Sequence, residues 1–283
     1  MNLPFVRSLR FRLPFLILLG ILPPILAAIG YASSKASKII RQDAEALLVF
    51  QAESLAKSVS SWDELTTAAL RNLSRQPDIL SMDEAQQRPV LIEMERAYKH
   101  FYLVHTTDTE GTNLARNDDK ANKFYGDRPW VLGAIAGNDI TRQVLISRTI
   151  EEPARCLSTP IQADSLKILG VASICSDLTV LAEQVGAVRI GETGYAFLID
   201  EKGRVVAHPL AEFSAELKNL SAYPPVELAL EGNTQNLQFT DSAGIDWISY
   251  GLPLENGWRI VVQQQEAEVL SLQASYQRLS WIL

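Results

Sequence analysis

The chain has 283 residues, a formal net charge of −7 and a hydrophobic fraction of 47%, which is enough for two modest domains with buried cores and a membrane anchor. The acidic balance, with basic residues dispersed along the chain, argues against a nucleic-acid partner, because phosphate binding needs a basic surface. The only cysteines, Cys156 and Cys175, are too few for a disulfide framework or a thiolate metal site, and we predict neither a metal nor a cofactor.

A candidate membrane span lies near the N-terminus. Residues 13–32 carry no charge, and as a helix rising about 1.5 Å per residue they would cover roughly the 30 Å of a bilayer core. We therefore predict a transmembrane helix there, with residues 1–12 in the cytoplasm. Three arginines precede the run, as in both a signal anchor and a cleavable signal peptide, and three basic residues follow it closely. Charge alone therefore leaves orientation and cleavage open.

A long stalk helix is predicted over residues 33–75. Apolar and small residues recur there at spacings that alternate between three and four, which is the pattern of a heptad seam. The seam consists of Ala52, Leu55, Val59, Trp62, Thr66, Ala69 and Leu73. Pro77 would end the helix. Such a stripe packs against its own domain, against a second copy, or against both. We expect intrachain packing, with a homodimer contact through the same helix.

Between residues 76 and 185 the pattern changes to short strands separated by turns. Two β-rich runs flank a turn at Asp108–Gly111 and predict a hairpin. A helical stretch, PWVLGAIAGN, comes next, and the strands ITRQVLISR, ARCLSTPI and ILGVASICS follow it. Cys156 and Cys175 fall on the last two strands, which form the arms of one hairpin. We expect the two cysteines to be near each other but offset, without a disulfide.

The same order of elements repeats over residues 186–266. A helix predicted at Val180–Val188 leads into the strand, turn and strand of GYAFLIDEKGRVVAHP, and three more strands follow a helical stretch at Val226–Leu230. We interpret the two regions as related modules. Residues 267–283 are predicted to form a C-terminal helix that leads into a second, truncated transmembrane segment, because Trp281 stands where an aromatic belt precedes a span.

Two segments carry a resemblance to a known family. The first is IGETGYAFLIDEKGRVVAHP at residues 190–209, and the second is DTEGTNLARN, followed by FYGDRPW at residues 124–130. Both resemble the double Cache family of extracytoplasmic sensors. The resemblance implies an α+β fold in which a long N-terminal helix precedes two PAS-like antiparallel-sheet modules. Residues 76–185 would be membrane-distal and residues 186–266 membrane-proximal.

The resemblance also implies a function. Such sensors belong to inner-membrane receptors whose sensing region lies outside the cytoplasm, in the periplasm. The output module, of the histidine kinase, chemotaxis or nucleotide cyclase class, would follow the sensing region in an intact receptor. The sequence therefore predicts a sensing region that binds a small molecule. The alternative is a ligand-free periplasmic module that responds to a partner protein.

The resemblance points to a ligand site in the distal module. In amino-acid-binding members of the family, an Arg-x-Trp segment contacts the ligand carboxylate and a later acidic residue holds its ammonium. Arg128 and Trp130 match the first half and are flanked by Tyr125 and Asp127. Gln143 aligns where the acidic residue is expected.

Other roles for these positions stay open. Asp177 is a further candidate for the acid, unless a slip in the alignment puts Cys175 in its place. Arg128 could instead pair with Asp127 at the surface, and Trp130 could be a simple core residue. The expected ligand is a small carboxylate-containing molecule, an amino acid among them.

Motifs for catalysis are missing from the sequence. Its three histidines stand in different contexts, and the patterns HExxH, GxSxG and the P-loop do not occur. Asp108 and Glu110 fall in a predicted turn, where carboxylates are normally solvated. His208, before a proline, is expected to cap or pack. We therefore predict a binding protein and not an enzyme.

Overall fold

The computed structural model describes residues 9–118, 120–163 and 167–271 of the chain, with side chains from residue 19 onwards. In these ranges a long N-terminal helix is followed by two modules, each built on a five-stranded antiparallel sheet. The predicted α+β class and the predicted order of a long helix and two sheets are therefore confirmed.

Helix α1 (Leu9–Ser74) is one continuous helix that ends three residues before Pro77. All seven residues of the predicted seam are buried, and the most exposed of them, Trp62, keeps only 6% of its surface. The helix begins well before residue 33, because no helix-breaking signal separates the stalk from the apolar run that precedes it. The seam packs within its own chain, as expected.

No helix in the described part of the chain is long and apolar enough to cross a membrane. The span predicted at residues 13–32 is therefore not confirmed. Residues 266–271 are helical. The second span was predicted further on, at residues that lie outside those described.

The first module, which we call the distal module, contains one five-stranded sheet and three helices among its described residues. Its strands are arranged in the order β2-β1-β5-β4-β3, and all neighbouring pairs are antiparallel. Its elements are α2 (Pro77–Leu80), α3 (Glu84–Ala97), β1 (Phe101–Thr107), β2 (Asn113–Arg116), α4 (Pro129–Ile135), β3 (Thr141–Ile146), β4 (Pro153–Gln162) and β5 (Ile168–Asp177). Helix α5 (Thr179–Ala187) then leads to the next module.

The proximal module repeats this arrangement. Its strand order, β7-β6-β10-β9-β8, is the same as that of the distal sheet when strands are counted within each module. Its elements are β6 (Tyr195–Ile199), β7 (Val205–Ala207), α6 (Ala211–Ala215), α7 (Pro224–Leu230), β8 (Asn236–Thr240), β9 (Asp246–Pro253) and β10 (Arg259–Gln265). The predicted repetition of two modules is thus a repetition of topology.

Each sheet is covered on both faces. One face of the proximal sheet packs against the Leu48–Trp62 part of α1, and one face of the distal sheet packs against its Ala69–Leu73 part. The opposite faces pack beneath α4 and α7. Because successive side chains of a strand point to opposite faces, the central strands contribute to two cores at once. In the sequence, these central strands therefore appear as continuous apolar runs.

The expectation that the two cysteines would be offset and unpaired is wrong. Cys156 of β4 stands directly opposite Cys175 of β5, with 4.1 Å between their Cα atoms, and the two form a disulfide. The register of this hairpin shifts by one residue between Ile161 and Gln162. This irregularity decides which residues face each other further along the strands, and a strand pattern alone does not reveal it.

Candidate functional site

A cavity of about 270 Å³ lies between the outer face of the distal sheet and the segment that enters α4. We call it the distal cavity. The strands provide its floor, the segment at residues 123–130 provides one wall, and the loop after β3 provides the other. It is lined by Tyr102, Leu103, Lys123, Phe124, Tyr125, Arg128, Trp130, Leu145, Ser147, Arg148, Thr149, Cys156 and Cys175.

The wall segment is held against the β1–β2 hairpin by backbone contacts. The N–H of Tyr125 donates to the carbonyl of Gly111 at 2.8 Å, and the N–H of Asn113 donates to the carbonyl of Lys123 at 3.1 Å. Gly111 has a φ of +86°, and a Cβ atom there would lie 2.3 Å from the Cα of Gly126. Only glycine allows this close approach, which fixes the position of Tyr125.

Helix α4 begins directly at the cavity. Arg128 is its N-cap residue and Pro129 occupies its first turn, where a missing N–H costs nothing. Trp130 follows and is 3% exposed. The short spacing between these residues and the helix start therefore places the guanidinium and the indole at the same cavity wall.

The aromatic side of the cavity is supported by a buried polar layer. The ring of Tyr125 stacks on His105 with centroids 4.4 Å apart, and its hydroxyl accepts a hydrogen bond from Arg116 at 3.1 Å. Arg116 is itself paired with Asp118 at 2.6 Å. Burial, with Arg116 nearby, lowers the pKa of His105 to about 3. The imidazole is therefore neutral, and the layer fixes the Tyr125 ring.

The opposite side is more polar. The hydroxyl of Tyr102 donates to Ser147 Oγ at 2.9 Å, and burial raises the pKa of Tyr102 to about 12, so this phenol stays protonated. Ser147 Oγ also accepts the N–H of Thr149 at 3.0 Å. These bonds order the loop after β3 and bring Arg148 to the mouth of the cavity.

The charges around the cavity are mainly positive. Lys123, Arg128 and Arg148 line it, whereas none of the described lining residues is acidic. Asp127 lies outside the lining and bridges the two arginines, at 3.6 Å from Arg128 Nε and 3.7 Å from Arg148 Nη2. Both distances exceed a hydrogen bond, so the guanidinium groups keep their donors available.

Three of the six residues predicted for the site line the distal cavity, namely Tyr125, Arg128 and Trp130. The other three do not. Asp127 is exposed beside the two arginines. Gln143 lies on β3 opposite Cys156, and its Oε1 is buried without a hydrogen-bond partner among the described residues. Asp177 accepts the N–H of Thr179 at 3.0 Å and so stabilises the start of α5.

Several cavity residues were not predicted from the sequence. Lys123 directly precedes the FYGDRPW segment, and Arg148 ends the strand ITRQVLISR. Nothing in their sequence spacing indicated that both would line the same cavity. Tyr102 occupies the first strand of the module. The disulfide lines the floor of the cavity, and predicting it would have required knowing the register of β4 against β5.

Away from the distal cavity, a buried ion pair lies between the two modules. Arg155 of β4 is fully buried and pairs with Asp63 of α1. Its guanidinium lies 3.9 Å from the ring centroid of Trp62 and 5.6 Å from that of Trp258 in the proximal module. Burial lowers the pKa of Arg155 to about 10, so the group stays charged at neutral pH. The distal sheet, the stalk and the proximal module therefore meet at one side chain.

Comparison with known proteins was made at the level of sequence and of fold. Methyl-accepting chemotaxis protein PctB of Pseudomonas aeruginosa is 26% identical over 234 residues, which cover 77% of this chain and 36% of that protein. The chain spans less than half the length of the first curated relatives that it matches.

Solved structures of chemoreceptor ligand-binding domains are also similar to this chain. The ligand-binding domain of Mlp24 with asparagine has a TM-score of 0.66 at 18% identity, covering 84% of this chain and 99% of that one. The ligand-binding domain of the Pseudomonas fluorescens chemoreceptor CtaA in complex with L-isoleucine has a TM-score of 0.65 at 20% identity, covering 83% and 98%. These similarities show the fold. Residues 33–272 match the family described as Cache domain, in its double form, and the chain belongs to that family.

Proposed function

We propose that this chain is the sensing region of a membrane-bound signalling receptor and that its distal cavity binds a small carboxylate-bearing molecule. The observation that carries the proposal is the setting of Arg128. Its side chain is 19% exposed, lines the cavity, and has no hydrogen-bond acceptor among the described residues. A guanidinium in such a position can donate two parallel hydrogen bonds to a carboxylate.

The neighbouring aromatic residues support this role. The Nε1–H of Trp130 is buried without a hydrogen-bond partner among the described residues, which leaves a donor for a ligand oxygen. Tyr125 adds an apolar ring whose hydroxyl is already bonded to Arg116. A few fixed polar groups among aromatic walls are typical of small-molecule sites. At about 270 Å³, the cavity suits a ligand of metabolite size.

In the proximal module the polar side chains at the corresponding place are bonded to one another. Gln263 donates to the hydroxyl of Tyr195 at 2.8 Å and accepts from that of Tyr223 at 3.1 Å, so these polar groups satisfy one another. His208, whose Nδ1 accepts the N–H of Leu210, packs between Tyr195 and other aromatic rings. This filling favours the distal module as the ligand-binding one.

The disulfide and the relatives support an extracytoplasmic compartment. A disulfide persists in oxidising surroundings, and Cys156–Cys175 is buried in the sheet. A curated relative is a methyl-accepting chemotaxis protein, and a similar solved structure is a chemoreceptor ligand-binding domain. We therefore infer an extracytoplasmic, periplasmic position at the inner membrane, with a signalling output domain elsewhere in the intact receptor, and we keep the uncharged residues 13–32 as the proposed anchor on their sequence alone.

A dimer through α1 is part of the same proposal. Several large apolar side chains of this helix stay exposed although the seam is buried, namely Ile39, Leu47, Phe50 and Leu65. A second copy that packs along the helix would cover them. A ligand that prefers one arrangement of the distal module would then shift the two stalks relative to each other.

Ligand-induced stabilisation of the full chain in detergent tests the binding role. A bound carboxylate at 100 times its dissociation constant should stabilise the protein by about 2.7 kcal/mol, which is read as a rise in melting temperature. Arg128→Ala should abolish the rise and Arg128→Lys should fail to restore it, because a point charge cannot form two parallel hydrogen bonds. Arg96→Ala, which removes an exposed arginine of α3, is the control.

Two results would contradict the proposal. If binding survives Arg128→Ala, the carboxylate is held elsewhere. If the unliganded Arg128→Ala protein is badly destabilised, Arg128 has a structural role in its pair with Asp127. Stabilisation by a periplasmic protein, with no response to any carboxylate, would support a ligand-free interaction module instead.

A further inference from the structure

We infer that the distal cavity selects a small organic dianion, such as a dicarboxylate, over a zwitterionic amino acid; this inference rests on the proposed function and specifies its ligand class. It follows from the charges around the cavity. An α-amino acid presents a carboxylate and an ammonium, and the ammonium needs an anionic or carbonyl partner when it leaves water. A cavity for amino acids therefore requires an acidic or carbonyl acceptor in its lining.

No aspartate, glutamate, asparagine or glutamine is among the described lining residues, and Gln143, whose Oε1 is buried without a described partner, lies outside them. The three charged residues of the lining are all cationic, namely Lys123, Arg128 and Arg148. The two carboxylates that could have served are engaged elsewhere. Asp127 points between the two arginines from outside the lining, and Asp177 accepts a backbone N–H at the start of α5. An ammonium placed in the cavity would face like charges.

The positive charge exceeds what the protein itself neutralises. Asp127 is the only described carboxylate within ion-pair distance of Arg128 or Arg148, and no described carboxylate lies within that distance of Lys123. Two positive charges are thus uncompensated around the cavity. Arg148 and Lys123 are exposed and need no partner in the unliganded protein, but a second anionic group of a ligand would gain contacts with them, whereas the ammonium of a zwitterion would be repelled.

The positions of the cations indicate two separate anionic groups. The Arg128 side chain is 19% exposed and lies on the inner wall beside Trp130, whereas the Arg148 side chain is 66% exposed at the mouth. Both guanidinium groups approach the same Asp127 carboxylate, which lies outside the lining, so the two cations are near each other at the edge of the cavity. One carboxylate of the ligand would lie on Arg128 and the buried indole N–H, and the other would lie between Arg148 and Lys123.

The test compares probes that differ by one charge. Isothermal titration calorimetry on the full chain in detergent would use malonate, succinate and malate as dianions, butyrate as the matched monoanion of succinate, and L-valine and L-asparagine as zwitterions. We expect at least one dicarboxylate to bind about tenfold or more tightly than butyrate and than either amino acid, since one extra compensated charge is being measured.

Variants at the mouth separate this inference from the proposed function. Arg148→Ala and Lys123→Ala should each weaken dicarboxylate binding about three- to tenfold while leaving butyrate binding unchanged, since they remove only the second charge contact. Arg96→Ala, which removes a positive charge far from the cavity, should change neither. Arg128→Ala should weaken both classes of probe.

Each other outcome overturns the inference in a recognisable way. If an amino acid binds more tightly than the dicarboxylates and is lost in Arg128→Ala, the dianion specificity is wrong while the carboxylate site stands. If dicarboxylates bind but Arg148→Ala and Lys123→Ala have no effect, the mouth cations do not select. If no probe binds and Arg128→Ala changes nothing, both the inference and the proposed function are wrong.

Discussion

Arg155 and Cys156 are consecutive residues of β4 whose side chains lie on opposite faces of the distal sheet. Cys156 lines the distal cavity, and Arg155 pairs with Asp63 of α1 on the other face. Since neighbours on a strand alternate between faces, one peptide unit connects the cavity floor to the stalk. A ligand that displaces this part of β4 therefore acts directly on the contact between the sheet, the stalk and Trp258 of the proximal module.

Breaking the Arg155–Asp63 pair should destabilise the protein strongly. Arg155→Met or Asp63→Leu removes one charge of a buried pair, and we expect each to lower the free energy of unfolding by about 3 to 5 kcal/mol. Urea unfolding of the full chain measures this.

The double variant Asp63→Leu/Arg155→Met provides the control for that prediction, because it removes both charges and fills the space with apolar groups. It should lose less stability than the two single variants together. Losses that simply add would show that Arg155 and Asp63 do not act as a pair.

Trp62 should be among the most sensitive positions of the stalk. It is 6% exposed, packs in the core shared by α1 and the proximal module, and lies under the guanidinium of Arg155. Trp62→Ala should cost about 3 to 5 kcal/mol of unfolding free energy. Ser58→Ala is the control on the same helix, because Ser58 is exposed and its change should alter stability by less than about 0.5 kcal/mol. Similar losses for both would mean that the seam faces another direction.

Acid should destabilise the protein through its buried histidines. The pKa of His105 is lowered to about 3 and that of His208 to about 4, from an ordinary value of 6.5, in both cases mainly by burial. Between pH 6.5 and these values the unfolded chain binds more protons than the folded protein. Stability is therefore full above pH 6.5 and decreases as the pH falls, by about 1.4 kcal/mol per pH unit for each histidine.

Unfolding free energies measured between pH 7 and pH 5 test this dependence. In that range the carboxylates whose pKa is lowered in the folded protein, Asp118, Asp241 and Glu268, remain ionised, so the histidines dominate. His208→Phe should remove part of the pH dependence, because phenylalanine does not titrate. The replacement should fit, since the His208 ring packs among aromatic residues and accepts one hydrogen bond. A stability that does not change over this pH range would contradict the neutral, buried state of both rings.

Much of the fold could be predicted because its signals are local. The heptad seam of α1 and the alternation of strands and turns in the two modules depend only on neighbours in sequence. Tyr125, Arg128 and Trp130 could also be predicted, since a short segment and one helix start bring them together. Their segment then needs only Gly111 to dock against the hairpin.

The remaining features depend on contacts between distant residues. Arg155 reads as a solvent-facing residue of a strand, and its partner Asp63 is 92 residues away. Lys123 and Arg148 line the same cavity only because the loop after β3 lies across from the wall segment. The positive character of the cavity could therefore not be predicted from the FYGDRPW segment, in which Asp127 offsets Arg128.

The disulfide should stabilise the distal hairpin and with it the floor of the cavity. Cys156 and Cys175 are 19 residues apart, and closing a loop of this size removes about 3 kcal/mol of chain entropy from the unfolded state. Reductant should therefore lower the melting temperature of the full chain, once unfolding makes the buried sulfurs accessible. The variant Cys156→Ala/Cys175→Ala should melt at a similarly lowered temperature and should not respond to reductant.

Because both sulfurs line the cavity, the variant should also bind its carboxylate less tightly than the oxidised protein. An equal melting temperature with and without reductant, at full reduction verified by thiol titration, would show that the pairing of β4 and β5 suffices without the covalent link.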